Sequence, residues 1–429
     1  MILPVAVVLG TLVVLLGAGV WVGFSLMGVG LISLSMFRDM PVGTFLAFDL
    51  WNSLNTPELV ALPLFILMGE ILYHTRLSES IFRGLTPWIG GVPGRLLHTN
   101  VVGCTLFAAV SGSSAATTAT IGRMTLSELK ARGYDENLAM GSLCGAGTLG
   151  FLIPPSIILI LYGVLSETSI LDLFIAGIIP GAMLAMAYMG YIAIRAVLDP
   201  SLVPKDKMSA TWSERFSALA DLGPIMALVV AIIGSMYAGI ASPTEAATVG
   251  VAGALVVALS QKSLSFQTLT HSLFGAIKTC SMIGLILAGA LFLSKAMAFL
   301  GLPQAVAVAI ASLELGPLSL IVLLTIFYIV LGCVIDGLSA IVMTLALVLP
   351  LITGAGFDQV WFGIFLVIVV EMSQITPPVG FNLFVVQGLT GAPISQIARA
   401  SLPFFLIMVA MVFIIALFPD IVTFLPRSM

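Results

Sequence analysis

Charged side chains are scarce in this sequence. They make up 8% of 429 residues, where a soluble domain carries about 25% because its surface must face water. An ordinary soluble enzyme is excluded on that ground. Histidine occurs three times, at His74, His98 and His271, each near the end of an apolar segment and read as interfacial. Cysteine occurs four times, at Cys104, Cys144, Cys280 and Cys333, far apart and never as CxxC. That usage gives no support to a metal centre or disulfide and makes the four packing residues. Neither GxxxxGKS/T nor HExxH is present, which excludes ATP hydrolysis by a P-loop and argues against a zinc intramembrane protease. No charge precedes Arg38, so the basic start of a cleavable export signal is missing and the first segments are expected to stay in the mature protein. The net charge of -4 is small and dispersed, which disfavours nucleic acid and a polybasic lipid anchor.

What fills the chain instead is apolar: 60% of residues are hydrophobic and the mean hydropathy is +1.19. A spanning helix needs roughly 20 apolar residues, so the chain has material for on the order of ten to fourteen membrane segments. The one sizeable polar stretch, 199–221, lies mid-chain and holds Lys205, Asp206, Lys207, Glu214 and Arg215. It reads as a linker between halves.

The halves share landmarks. Pro-Pro occurs only at Pro154-Pro155 and Pro377-Pro378, 223 residues apart, each inside a long apolar segment. Pro180 and Pro403 repeat that offset, and Pro93 and Pro317 differ from it by one. Small or polar tracts centred on Gly112 and Gly337 stand 225 apart. Four landmarks in one order at a nearly constant offset indicate a duplicated unit.

Each unit reads as two spans, an amphipathic or interfacial stretch, a third span, a re-entrant helical hairpin, a span broken at Pro-Pro and a last span. In the first half these are 2–20, 21–37, 41–55, 58–73, 97–127, 137–165 and 173–197. In the second they are 222–240, 244–260, 263–277, 279–298, 317–352, a span broken at Pro377-Pro378, and 399–422. An odd number of crossings per unit makes the second unit inverted relative to the first. With the linker 199–221 cytoplasmic and both termini on the outer face, 13 of the 16 basic residues fall on cytoplasmic ends, as the positive-inside rule requires. The expected fold is an all-α polytopic membrane protein of two inverted-topology repeats, residues 1–198 and 222–429.

Helix breaks inside a membrane are costly and persist where the freed backbone groups bind something. Proline removes a donor and clashes with the preceding turn, so carbonyls ahead of each Pro-Pro lose their intrahelical partners and become ligands for a small cation. In the tract Ser111-Gly-Ser-Ser-Ala-Ala-Thr-Thr-Ala-Thr-Ile-Gly122, six of twelve residues carry hydroxyls. A hard ion such as sodium prefers such oxygens, and the same break offers helix N-termini to an anionic substrate. The second half offers Gly332, Asp336, Gly337 and Ser339 opposite Thr376, Asn382 and Gln387. Two related cation sites flanking one substrate site is the economical reading. Close helix packing is the competing role for the small residues. Asp336 stands out, because a carboxylate inside an apolar hairpin must be paired, ion-bound or protonated. Glu371, Asp172 and Glu70 fit segment ends or bundle interiors equally well, and Arg123 fits an interfacial anchor. Gly145-Ala-Gly-Thr-Leu-Gly150 matches GxGxxG, but no strand precedes it and it reads as a helix-packing face.

The runs Ser111-Gly-Ser-Ser-Ala-Ala-Thr-Thr-Ala-Thr-Ile-Gly-Arg-Met-Thr125, Gly147-Thr-Leu-Gly-Phe-Leu-Ile-Pro-Pro-Ser156 and Ile375-Thr-Pro-Pro-Val-Gly-Phe-Asn-Leu383 closely resemble the large membrane subunit of tripartite ATP-independent periplasmic (TRAP) transporters, over essentially the whole chain. The resemblance implies sodium-coupled uptake of an organic acid, such as sialic acid or a C4-dicarboxylate, across the bacterial inner membrane. No other cofactor and no enzymatic activity are implied, and both termini would be periplasmic. Partners would be a small four-helix membrane subunit, expected as a separate chain here, and a soluble periplasmic binding protein that delivers the substrate. It implies an elevator mechanism, with scaffold parts 1–57 and 222–278 and transport parts 58–198 and 279–429. The first sodium site maps onto Ser111, Gly112, Ser113, Ser114, Gly150 and Pro154. The second maps onto Gly332, Asp336, Gly337, Thr376 and Pro377. Substrate-contact candidates are Ser113, Thr117, Pro155, Ser156, Ser339, Pro378 and Asn382. The alternative is an intramembrane enzyme pairing Asp336 with a second buried carboxylate as acid and base.

Overall fold

A computed structural model describes residues 2–204, 211–311, 316–333, 335–378 and 380–428. Lys205, Asp206 and Lys207 of the expected linker lie outside the described residues. The first half runs α1 (Ile2–Gly17), α2 (Val22–Phe37), α3 (Val42–Leu54), α4 (Ala61–Tyr73), α5 (Leu77–Ile89), α6 (His98–Ser111), α7 (Ser114–Ala131), α8 (Glu136–Gly147), the single turn α9 (Leu149–Leu152), α10 (Ile157–Ser166) and α11 (Ile170–Leu198). The second runs α12 (Trp212–Tyr237), α13 (Pro243–Ser260), α14 (Phe266–Phe299), α15 (Leu302–Ala311), α16 (Pro317–Gly332), α17 (Gly337–Gly354), α18 (Gln359–Gln374), α19 (Phe381–Thr390), α20 (Ile394–Leu417) and α21 (Asp420–Arg427). The order of parts recurs: α6 and α7 match α16 and α17 as hairpins, and α8 to α10 match α18 and α19 as broken helices.

Local chemistry sets these boundaries. Ser113, Asp135, Ser156, Ser169, Ser265 and Asp358 each accept a backbone N–H of the first turn that follows, which satisfies donors no helix can pair internally. Thr211 with Glu214 and Ser242 with Glu245 close full capping boxes at α12 and α13. The first of these corrects the linker: its second half is helix, and α12 begins ten residues before the expected 222.

Three helices, α5, α15 and α21, were not expected. α5 is short and carries Glu79 and Arg83 on its outer face, so it lacks the run of apolar residues that marks a span. The arm expected at 263–277 and the span expected at 279–298 form one unbroken 34-residue helix, α14. Its counterpart in the first half is bent by 63° between α3 and α4. Among the described residues seven helical stretches, or eight with that bent pair, are long and apolar enough to cross a membrane. Composition suggested more, because much of the apolar sequence goes into the shorter hairpin arms and half-helices α16, α18 and α19.

The broken helices form the centre. Every side chain of α18 from Trp361 to Gln374 is buried, as is every one of α8 from Leu138 to Gly147. Leu9, Val13, Val230, Val256, Leu259, Leu402 and Leu406 on α1, α12, α13 and α20 are exposed, an apolar perimeter suited to lipid. α2 packs on α14 closely enough that a Cβ on Gly23 would lie 2.5 Å from the Leu285 carbonyl oxygen. α4 packs on α13 and α14, α20 on α8, and α19 along α7. Gly145 faces Phe404, so the GxGxxG stretch is the helix-packing face that was expected. Lys295 pairs with Asp49 to tie α3 to the end of α14. Trp361 Nε1 donates to the Ile415 carbonyl at 2.8 Å, pinning α18 to α20. His98 lies at a segment end as expected but is fully buried, its Nε2 2.6 Å from the Pro93 carbonyl oxygen. All four cysteines are free thiols, with Cys104 and Cys144 buried.

Candidate functional site

The turn between α6 and α7 meets the break between α8 and α10. Gly112 adopts φ +58°, a conformation that favours glycine, and a Cβ there would stand 2.8 Å from the Pro155 carbonyl oxygen. The Ile157 N–H donates to the Gly112 carbonyl at 3.4 Å. Gly150 sits under Ser113 and Ser114, where a Cβ would come within 2.6 to 2.7 Å of their backbone. Ser111 and Thr117 share a 2.8 Å hydroxyl contact, and Ser156, fully buried, caps α10. Ser111, Gly112, Ser113, Ser114 and Gly150 are thus gathered in one place. Pro154 is buried and precedes Pro155 through a cis bond.

The second half repeats the arrangement. The end of α16 meets the break after α18: Gly332 faces Ser373, Cys333 Sγ lies 3.3 Å from the Pro377 carbonyl oxygen, and Gly337 lies against Val370 and Gln374. Pro377-Pro378 is also cis, and both prolines are exposed. Thr376 donates through Oγ1 to the Met372 carbonyl at 2.7 Å, and its own carbonyl accepts from Gly380 N–H at 3.0 Å. Asp336 is exposed and caps α17: Oδ2 accepts Ser339 N–H at 3.0 Å and Oδ1 accepts its hydroxyl at 2.6 Å. Among the described residues no hydrogen bond joins Asp336 to a second carboxylate, which removes the geometry the enzyme alternative requires.

The residue passed over is Glu371. It is fully buried on α18, yet its partners belong to the first half: Oε2 accepts the Ser114 hydroxyl at 2.9 Å and Oε1 accepts Phe151 N–H at 3.1 Å. Asn382, expected opposite Asp336 and Ser339, joins the same cluster, its Nδ2 donating to Ser114 Oγ at 3.0 Å. α19 lies along α7, which carries Asn382 across to the first half's tract. The Gly147 carbonyl oxygen stands 3.0 Å from the same hydroxyl. A serine hydroxyl has one proton, so Glu371, Gly147 and the Asn382 side-chain carbonyl at 3.4 Å compete for it. With Glu371 ionised, acceptor oxygens outnumber protons here, and among the described residues no basic side chain pairs with Glu371. A signal was present in the sequence: Glu371 lies six residues before the second Pro-Pro, directly after the uncharged apolar run 359–370. Among the described residues no group of three His, Cys, Asp or Glu side chains converges.

An all-helical bundle with lipid-suited walls and two broken helices at its centre defines a polytopic membrane transporter. The fold agrees with that of the YdaH transporter of Alcanivorax borkumensis, with a TM-score of 0.64 at 13% identity, covering 88% of each chain. Residues 9–421 match the family described as tripartite ATP-independent periplasmic transporter, DctM component, and the chain belongs to that family. The C4-dicarboxylate TRAP transporter large permease protein DctM of Pseudomonas aeruginosa is 32% identical, covering 89% of both chains. The sialic acid TRAP transporter large permease protein SiaM of Vibrio cholerae is 29% identical, covering 96% of both. The chain is therefore a transporter permease of the TRAP class, and the resemblance read from its motifs is borne out.

Proposed function

We propose that this permease carries out sodium-coupled uptake of an organic acid across the bacterial inner membrane, receiving its substrate from a periplasmic binding protein and working with a small membrane subunit. The surplus of acceptor oxygens around Ser114 carries the reading: a monovalent cation among Glu371, Ser114, Gly147 and the Gly150 region would supply the missing positive charge. Gly332, Asp336, Gly337, Thr376 and Pro377 form the second sodium site by the same logic of freed carbonyls. The carboxylate substrate lies between the two breaks, with Ser113, Thr117, Pro155, Ser156, Ser339, Pro378 and Asn382 as its contacts. Relatives named for C4-dicarboxylate and sialic acid support a carboxylate.

The two halves are inverted repeats, with both termini periplasmic and the 199–221 region cytoplasmic. Transport is by elevator motion of the hairpins and broken helices. Against the expected limits of 57 and 278, we assign α4 and all of α14 to the scaffold, a reading supported by the packing of α4 on α13 and α14, although α4 also touches α6 and α10. The test is uptake into vesicles holding the complete transporter, with and without an inward sodium gradient. Uptake indifferent to sodium would refute the proposal.

A further inference from the structure

A cavity of about 330 Å³ opens at one end of the α7–α19 seam, lined by Arg123, Ser127 and Lys130 of α7, by Leu389 and Thr390 of α19, and on its third side by α8, including the Glu136 carboxylate. The other end of the seam carries the Ser114–Glu371–Asn382 cluster. Ser114 and Arg123 are nine residues apart on one helix, roughly 14 Å along its axis, or about half the thickness of the hydrocarbon core. From the N-cap Ser113 along α7, the accessible positions Ala116, Ala119, Arg123, Ser127 and Lys130 recur at spacings of three and four and form one stripe that begins at the hairpin tip and ends in the cavity, with the accessible Ala115, Met124 and Glu128 beside it. The stripe is lined by small residues until Arg123.

The charge inside this cavity is not balanced. Lys130 is paired with Glu136 at 3.0 Å. Arg123 has no carboxylate partner among the described residues. Its guanidinium lies 5.2 Å from the centre of the Tyr73 ring and donates to the Tyr73 hydroxyl, which holds the planar group in place while leaving donors for an acceptor. A fixed guanidinium presents paired donors that match a carboxylate; Ser127 and Thr390 line the same cavity, their hydroxyl protons already donated to the carbonyls of Arg123, Met124 and Val386. Tyr73 belongs to α4, which packs with α13 and α14, whereas α7 belongs to the hairpin.

We propose that Arg123, in the cavity that Ser127 and Thr390 also line, forms an anion site that receives the substrate carboxylate as it leaves the cluster at the helix breaks. The site stands on its own geometry; its place on the transport path rests on the proposed function. The test uses the full-length chain with Cys280→Ser, Cys333→Ser and Ser127→Cys. The thiol introduced at position 127 is modified by an anionic or a cationic methanethiosulfonate, with Arg123 present or replaced by Gln. Arg123 is expected to raise the anionic-to-cationic rate ratio about tenfold, the effect of one unit charge roughly 6 Å away on reagents of opposite sign at water-like dielectric. Succinate at millimolar concentration is expected to slow modification when Arg123 is present and not in Arg123→Gln, relative to chloride at equal ionic strength. A ratio unchanged by Arg123→Gln, or protection by chloride equal to that by succinate, overturns the site. Once reconstituted with its partners, Arg123→Gln should lower the maximal uptake rate and leave the sodium half-saturation unchanged; an unaltered rate overturns its place on the path. Labelling does not depend on sodium coupling, so sodium-independent uptake would refute the proposed function while leaving the labelling result intact.

Discussion

Ser114 and Glu371 decide most of what happens at the residue scale, and their roles separate by substitution. Ser114→Ala removes the hydroxyl that satisfies a buried carboxylate oxygen, a loss worth roughly 1.5 to 3 kcal/mol for a hydrogen bond to a charged group. The sodium concentration for half-maximal uptake should rise tenfold or more, read from uptake at varied sodium. Glu371→Gln keeps the side chain's size and its acceptor for Phe151 N–H but removes the charge. Sodium dependence should weaken while the folded protein is retained, as judged by monodisperse elution and thermal unfolding in detergent; a normal sodium response would exclude the carboxylate from the ion site. The gathering of the hydroxyl tract at the helix breaks was legible because six of twelve residues carry hydroxyls within otherwise apolar sequence. Glu371 was not, since a carboxylate in an apolar segment shows its cost in the sequence but not the partner that relieves it, and that partner is 257 residues away.

Among the elements, the hairpins and broken helices were readable from proline and glycine alone, because an interior Pro-Pro cannot continue a helix and a left-handed residue such as Gly112 ends one. The short amphipathic α5 was not readable, as its few charges hide its buried face. Asp336 illustrates how an element can absorb a residue that looks functional: it holds the first turn of α17 in place. Asn is as good a cap as Asp, whereas Ala costs about 1 kcal/mol. Asp336→Ala should therefore lower the unfolding temperature in detergent and Asp336→Asn should not. If Asp336 also serves the second sodium site, Asp336→Asn will alter the sodium dependence of uptake without altering that temperature. Trp361→Phe removes the bond to Ile415 and should destabilise the α18–α20 contact by about 1 kcal/mol, again read by thermal unfolding.

For the whole molecule, the duplicated order of parts was legible from constant offsets, and the placement of basic residues is what supports the proposed inversion. What the offsets could not convey is how the halves interlock, because packing partners carry no marker in the chain. The elevator proposal gives a direct test. Phe65 on α4 and Phe174 on α11 meet edge to face with ring centres 6.2 Å apart, across the boundary between scaffold and moving body. A cysteine pair at these two positions, bridged by a thiol-specific cross-linker, should abolish uptake, and reductive release should restore it. Uptake that survives the bridge would mean the two helices move together.

Glu371 reaching into the first half has a consequence for biosynthesis. The chain is made from its N-terminus, so the hairpin tip and the first Pro-Pro break are complete long before residue 371 leaves the ribosome. During that interval the nascent first half holds the Ser114 hydroxyl and the Phe151 N–H without the carboxylate that accepts from both. The hydrogen-bonded cluster around Ser114 is therefore completed only when the second half arrives.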